Sequence, residues 1–357
     1  MFKLEPRAAP SKLLMAASPL VALAITVLIG VMLFVALGKD PLAGLQMFFV
    51  EPLKSTYALS ELSIKATPLI LIGLGLAVCF RANIWNIGAE GQFILGAVFA
   101  GGVAMRATPE TGHWIIIAVL VAGALGGMLW AAIVALLRDR FNASEILVSL
   151  MLVYVAEMVL SYLVYGPWKD PAGYNFPQTI TFLEATRVPK LMTGLRMNIG
   201  IFIAAAAVVG FAVFLARTYA GFQLLVGGLA PDAARYAGFS SRRALWTALL
   251  LSGGMAGLAG GLDAAGPQGQ LTPYIPLGYG FGAIIVAFVG RLNPFGIVFS
   301  AVLMSMFYIG GELAQSRLGL PKALTGVFQG LLLFALLACD TFIHQRLRWV
   351  ASPKGST

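Results

Sequence analysis

The sequence predicts an all-α integral membrane protein of about ten transmembrane helices, and three observations carry that prediction. Apolar residues make up 59% of the 357-residue chain, charged residues only 11%, and the mean hydropathy is +0.88; no soluble domain covers itself with so little polar surface. The apolar residues fall into runs long enough to cross, or nearly cross, ~30 Å of hydrocarbon at 1.5 Å per residue. Between the runs stand the Pro, Gly and charged residues of connecting segments.

In order, the runs are Ser18–Leu37, Thr67–Phe80, Ile87–Ala104, Trp114–Leu137 and Ile146–Tyr165, then Ile199–Leu215, Ala244–Gly261, Tyr279–Val289, Phe295–Gly310 and Ala323–Cys339. The second and eighth are too short to span as written. They are expected to be broken, tilted or buried by neighbours, as helices along a transport path often are. The expected organisation is a cytoplasmic segment over 1–17, a membrane domain over 18–339 and a cytoplasmic tail over 340–357. Long outer loops are expected at 38–66 and 166–198, and a notable inner connection at 218–243.

Orientation follows from the short connections. With the amino terminus inside, the cytoplasmic side receives Arg81, Arg138, Arg140, Arg217, Arg235, Arg242, Arg243 and Arg291, with Arg7 and Lys354 in the terminal segments. That excess places both termini in the cytoplasm. A cleaved signal peptide over the first run is the competing reading, but no convincing small-x-small site ends the run. The formal charge of +9 is spread over connections and forms no stripe, so no nucleic-acid partner is expected. Cys79 and Cys339 lie in apolar runs without metal-ligand spacing, and neither a disulfide framework, a metal nor another cofactor is expected. No Gly-x-x-x-x-Gly-Lys-Ser/Thr occurs, so the chain carries no P-loop.

Three acids, Glu90, Glu157 and Asp263, fall within spans, where a charge is retained only facing a bundle interior or a watery path. Glu90 belongs to Asn86-Ile87-Gly88-Ala89-Glu90-Gly91-Gln92, a carboxylate and two amides among glycines at the start of an apolar run. Two readings stand for it: a buried cap on the amides of its own broken helix, or a group facing solute. Asp263 follows Gly253-x-x-x-Gly257-x-x-x-Gly261, a spacing that suits tight helix crossing, and is expected near the outer mouth. Asn142-Ala-Ser-Glu145 reads as a capping box, with Asn142 accepting and Glu145 reaching back. Inside, Pro231 to Gly238 reads as a two-turn helix: Pro231 suits its first position, Asp232 the positive end, Ala233, Ala234 and Arg235 propagate it, and Gly238 stops it. Such a helix either anchors on lipid headgroups or transmits a push from a cytosolic partner. A weak echo, Arg81-Ala-Asn83 and Arg291-Leu-Asn293, hints at two related halves.

The Asn86–Gln92 stretch, with its approach Phe80-Arg81-Ala82-Asn83-Ile84-Trp85, resembles the signature of inner-membrane permeases of ABC importers for nucleosides and simple sugars, within the branched-chain amino acid, ribose and nucleoside permease superfamily. Pro231, Ala233, Ala234, Tyr236, Ala237 and Gly238 match that family's coupling helix, which fits a cleft on the ATPase. Where the family commonly has Asn before the proline, this chain has Ala230, so a helix cap is missing and docking rests more on Tyr236 and Arg235. Leu150-Met151-Leu152-Val153-Tyr154 resembles Met-Leu-Asn-Tyr, with Val153 replacing the amide.

The resemblance implies a type II, vitamin B12-transporter-like arrangement in a bacterial cytoplasmic membrane, working by alternating access, with the second, third, eighth and ninth helices lining the path. It implies a cytosolic ATPase subunit, a second permease forming a heterodimer, an extracytoplasmic solute-binding protein docking on the outer loops, and surrounding lipid. Asn83, Asn86, Glu90, Gln92 and Glu157 are the candidate path residues; Pro231 to Arg235, Tyr236 and Gly238 are the coupling residues. The solute is expected to be a nucleoside, with a monosaccharide as the alternative. A proton-driven secondary transporter using one of the three acids is the rival. An intramembrane enzyme has no support, since His113 and His344 lie at or beyond span ends, and a scaffold leaves the intramembrane acids unexplained.

Overall fold

The computed structural model describes residues 2–6 and 12–349, so the predicted inner-side charges Arg7 and Lys354 lie outside the described residues. Thirteen α-helices occur among them: α1 Lys12–Ala36, α2 Pro41–Phe49, α3 Thr56–Arg81, α4 Ala89–Ala104, α5 Ile115–Phe141, α6 Glu145–Tyr165, α7 Gly200–Arg217, α8 Tyr219–Leu229, α9 Pro231–Tyr236, α10 Ser241–Asp263, α11 Tyr279–Val289, α12 Pro294–Leu318 and α13 Ala323–His344. All ten predicted runs are helical. Eight helices are long and apolar enough to cross a membrane, and α4, α8 and α11 are shorter apolar helices; α8 lies in the connection 218–243, where no apolar run was predicted. A short antiparallel pair, β1 Phe2–Pro6 and β2 Gln345–Trp349, is the only β-structure with a strand on each side among the described residues.

Two elements differ from expectation. The second helix is not short: α3 runs 26 residues and takes in Ser60, Glu61 and Lys65, which hydropathy assigns to a loop. Neighbouring helices bury those polar positions, Ser60 and Lys65 almost completely, so the helix continues where the apolar run does not. The outer segment 38–66 accordingly contains α2, capped by Asp40 accepting from the Leu42 amide at 2.9 Å, as well as the first turns of α3. The Asn142–Glu145 turn also works differently. Asn142 takes the left-handed conformation at the end of α5, Ser144 caps α6, and Glu145 pairs with Arg138 at 3.2 Å instead of reaching back. Asn tolerates the left-handed region better than other residues with a Cβ, which gives it the stop rather than the start.

The chain divides into two compact units, residues 1–52 with 307–357 and residues 53–306. The first is held by an aromatic cluster: Phe34, Phe48, Phe307 and Phe328 have ring centroids 4.8 to 6.2 Å apart. Gly44 and Gly310 admit the Phe34 and Phe48 rings, which a Cβ would meet at 2.6 and 2.8 Å.

The second unit is built round the crossing of α4, α5 and α10. A Cβ on Gly257 would stand 2.8 Å from Gly127 Cα, and one on Gly123 3.2 Å from Gly261 Cα. Gly96 faces Gly257 backbone as closely, so the spaced glycines of α10 let three backbones touch. Against this block lie α3 and α11, and α3 is buried along nearly its whole apolar length.

Candidate functional site

The Asn86–Gln92 stretch folds into a closed polar knot. Asn86 donates to Gln92 Oε1 and to Ser252 Oγ, both at 3.0 Å; Gln92 donates back to Asn86 Oδ1 at 3.1 Å, and the Gly88 amide donates to the same oxygen at 3.2 Å. Asn86, Gln92 and Ser252 are fully buried. The Ile87 amide donates to Ser149 Oγ, and Gly88 abuts the Ser149 backbone, which a Cβ would meet at 2.6 Å. The motif therefore ties the start of α4 to α6 and α10, with its amides satisfied inside the protein.

Glu90, only 1% exposed, caps a helix, though not its own. One carboxylate oxygen accepts from the Gly278 amide at 2.9 Å and the other from the Gly280 amide, at the amino end of α11. Tyr279 packs edge-on to Phe93, and a Cβ on Gly280 would collide with the Glu90 backbone. A carboxylate is the natural partner there, because the first amides of a helix lack intrahelical acceptors and carry its positive end. The short eighth helix thus begins inside the bundle on a charge supplied by α4. Replacing Glu90 by Ala would remove the acceptor of the buried Gly280 amide, at about 1–3 kcal/mol. A clearly lowered unfolding temperature in detergent is expected, with Glu90→Gln between it and wild type; wild-type melting of Glu90→Ala would remove the cap assignment.

The remaining path candidates part company. Glu157 is half-buried on α6, a helix that leaves Met151, Tyr154, Met158 and Tyr162 exposed. Asn83 is exposed, takes a left-handed φ of 56° and accepts from Trp85 Nε1 at 3.2 Å. It lines a cavity of about 710 Å³ together with Pro231, Asp232, Ala234 and Arg235, so the structure brings Asn83 to α9, not to Glu90.

The predicted short helix α9 forms, with Pro231 at its start, no side-chain cap from Ala230 and Gly238 in the left-handed region at 80°. It turns Ala234 inward and leaves Tyr236 97% exposed. The cavity behind it is braced by Arg242 with Asp139 at 2.7 Å and Arg138 with Glu145. Trp246 Nε1 also donates to Asp139. The two echoed turns meet beside it: Arg81 Nε donates to the Leu292 carbonyl at 3.0 Å, and Phe80 stacks on Phe288 at 5.0 Å. Sequence reasoning had no signal for Ser252 or Ser149, whose role depends on partners 166 and 62 residues away.

At the other end of the unit, α10 closes with a π-helical turn, Ala264–Gln268. The loop 166–198 is stitched onto it: the Val188 amide donates to the Ala265 carbonyl and the Phe182 amide to the Gly269 carbonyl, at 2.9 and 2.8 Å. Tyr174 and Phe176 of that loop stay exposed.

Residues 58–337 match the family described as branched-chain amino acid transport system / permease component. The chain is 33% identical to the glucose ABC transporter permease protein TsgB13 of Haloferax volcanii, across 97% of this chain and 93% of that one. It is 28% identical to the nucleoside ABC transporter permease protein NupB of Lactococcus lactis, across 88% and 89%. The nucleoside ABC transporter permease protein NupC of the same organism is 26% identical across 71% and 83%.

Proposed function

The chain belongs to the branched-chain amino acid transport system / permease component family and is a multi-pass permease of an ABC importer, and we propose that it forms half of the path for a nucleoside, moved by an ATPase docked on α9. The observation that carries the coupling assignment is a short helix that projects a fully exposed tyrosine beside a polar cavity while its alanine packs inward. A lipid-anchoring helix would turn large apolar residues outward as a face; here the exposed residues are Pro231, Asp232, Ala233, Arg235 and Tyr236, and only Ala234 is buried.

The partner set follows from the incomplete faces. Glu157 on the otherwise apolar, open face of α6 is costly against lipid; a second permease meeting that face would enclose it along a watery path. NupB and NupC, two such permeases from one organism, support a heterodimer. In this reading Asn86, Glu90 and Gln92 hold the framework of the path, Asn83 belongs to the coupling end, and Glu157 faces solute. The solute-binding protein docks on the loop carrying Tyr174 and Phe176, on the outer face of a cytoplasmic membrane with both termini inside. ATP is hydrolysed by the separate subunit.

A monosaccharide is the second reading for the solute, favoured by the similarity to TsgB13. Uptake of labelled guanosine and glucose by cells carrying the complete importer decides between them, and import of neither would sink both. Collapse of the proton gradient at constant ATP is expected to leave uptake intact; its loss would favour the secondary transporter. Glu157→Gln is expected to slow uptake at least 10-fold with ATPase association unchanged, and unaltered uptake would take Glu157 out of the path.

A further inference from the structure

Asp263 is 5% exposed at the last turn of α10. Gln268, Lys65 and Arg196 lie near its carboxylate, yet Oδ2 is buried with no hydrogen-bond partner among the described residues. A buried acceptor left unmet is costly, the more so on a charged group. The framework described above makes no use of this oxygen.

Its surroundings are built and held. The chain leaves Asp263 directly into the π-helical turn with Pro267 inside it and Gly269 left-handed at its end. Such turns interrupt helices most often where a site is being shaped. Besides the two backbone bonds from the outer loop, Arg196 braces the turn: it donates to the Pro267 carbonyl at 3.4 Å and pairs with Glu61 of α3 at 3.1 Å. The Arg196 and Met197 amides both donate to Ser60 Oγ. Five residues on from the buried carboxylate, Gln268 is exposed.

The charge balance selects the ligand's chemistry. With Lys65 and Arg196 already near Asp263, a further cation would meet repulsion, and an anion would meet the carboxylate itself. A neutral hydroxyl supplies the missing donor without adding charge, and the Gln268 amide can donate to or accept from its neighbour on the same molecule. We propose that Asp263 and Gln268 form a polyol-recognition station at the end of the bundle away from α9, with Asp263 Oδ2 accepting a solute hydroxyl. This rests on the reading of the solute as a nucleoside or monosaccharide and adds a discriminating residue to it.

The test uses the complete importer in proteoliposomes, supplied with saturating solute-loaded binding protein so that rates report the permease. Guanosine and glucose are compared with their single-deoxy analogues. Wild type is expected to move one analogue at least 10-fold more slowly than its parent. In Asp263→Asn and Asp263→Ala the parent slows and that ratio collapses toward one; in Gln268→Ala it shrinks. A ratio unchanged in the Asp263 variants, or no discrimination by wild type, overturns the station. Should the Asp263 variants fail to associate with the ATPase, an unchanged ratio in the exposed Gln268→Ala variant overturns it equally. Failure of wild type to import either parent solute instead overturns the solute reading, and the station with it.

Discussion

Tyr236→Asp is expected to abolish uptake and ATPase association while leaving membrane insertion and melting temperature unchanged. Tyr236 is 97% exposed, so its removal takes nothing from the fold. Exposed aromatics that become buried on a partner are where binding energy concentrates, about 2–4 kcal/mol for a dominant residue, and a carboxylate there adds a charge to be desolvated. Co-purification of the ATPase should fall by about 100-fold or more, since each 1.4 kcal/mol is tenfold. Tyr236→Phe, which keeps the ring, should lose far less. Normal uptake by Tyr236→Asp would remove α9 as the coupling element.

Gly257→Leu is expected to prevent stable assembly altogether. Its Cβ would lie 2.8 Å from the Gly127 backbone and nearer still to Gly123 O, so neither side can yield by a rotamer change. Overpacking of this kind typically costs ~1–3 kcal/mol even where side chains can move, and here three helices would have to separate. The expected readout is loss of the monodisperse species in detergent and a fall in membrane-inserted protein. Gly257→Ala should lower the melting temperature without abolishing the fold. Gly210→Leu on α7, where nothing lies within 4 Å of the added carbon, should be near neutral. A Gly257→Leu variant that melts like wild type would mean the three helices are not locked where the glycines place them.

Hydropathy found the ten apolar runs because each reports its own solvent, but it left the apolar helix α8, Tyr219–Leu229, inside a connection. It missed the first turns of α3 because Ser60, Glu61 and Lys65 are made helical by what surrounds them, which no local window contains. The α9 helix was legible down to its missing cap, since Pro231, Asp232 and Gly238 act locally. The glycine spacing on α10 was legible as tight crossing, though its partners on α4 and α5 were not. Glu90 shows the limit most clearly. Its residue type and placement announced a cap or a ligand contact, but the helix it caps begins 188 residues later at Gly278. Asn142 misled because one residue type serves both the start and the stop of a helix, and the choice depends on which neighbour, Ser144 or Asn142, has the better geometry for each.

The end of α8 rests on the last turn of α3: a Cβ on Gly228 would meet the Arg81 carbonyl, and only Leu229 and Ala230 separate that contact from α9. At 26 residues, α3 is a strut of about 39 Å whose far end carries Ser60 and Lys65. Mechanically this is a lever with its short arm at α9. If α9 is the element an ATPase moves, as proposed, a tilt of about 5° at Arg81 would displace the opposite end of a rod of that length by roughly 3 Å, without any chain of rearranged side chains between.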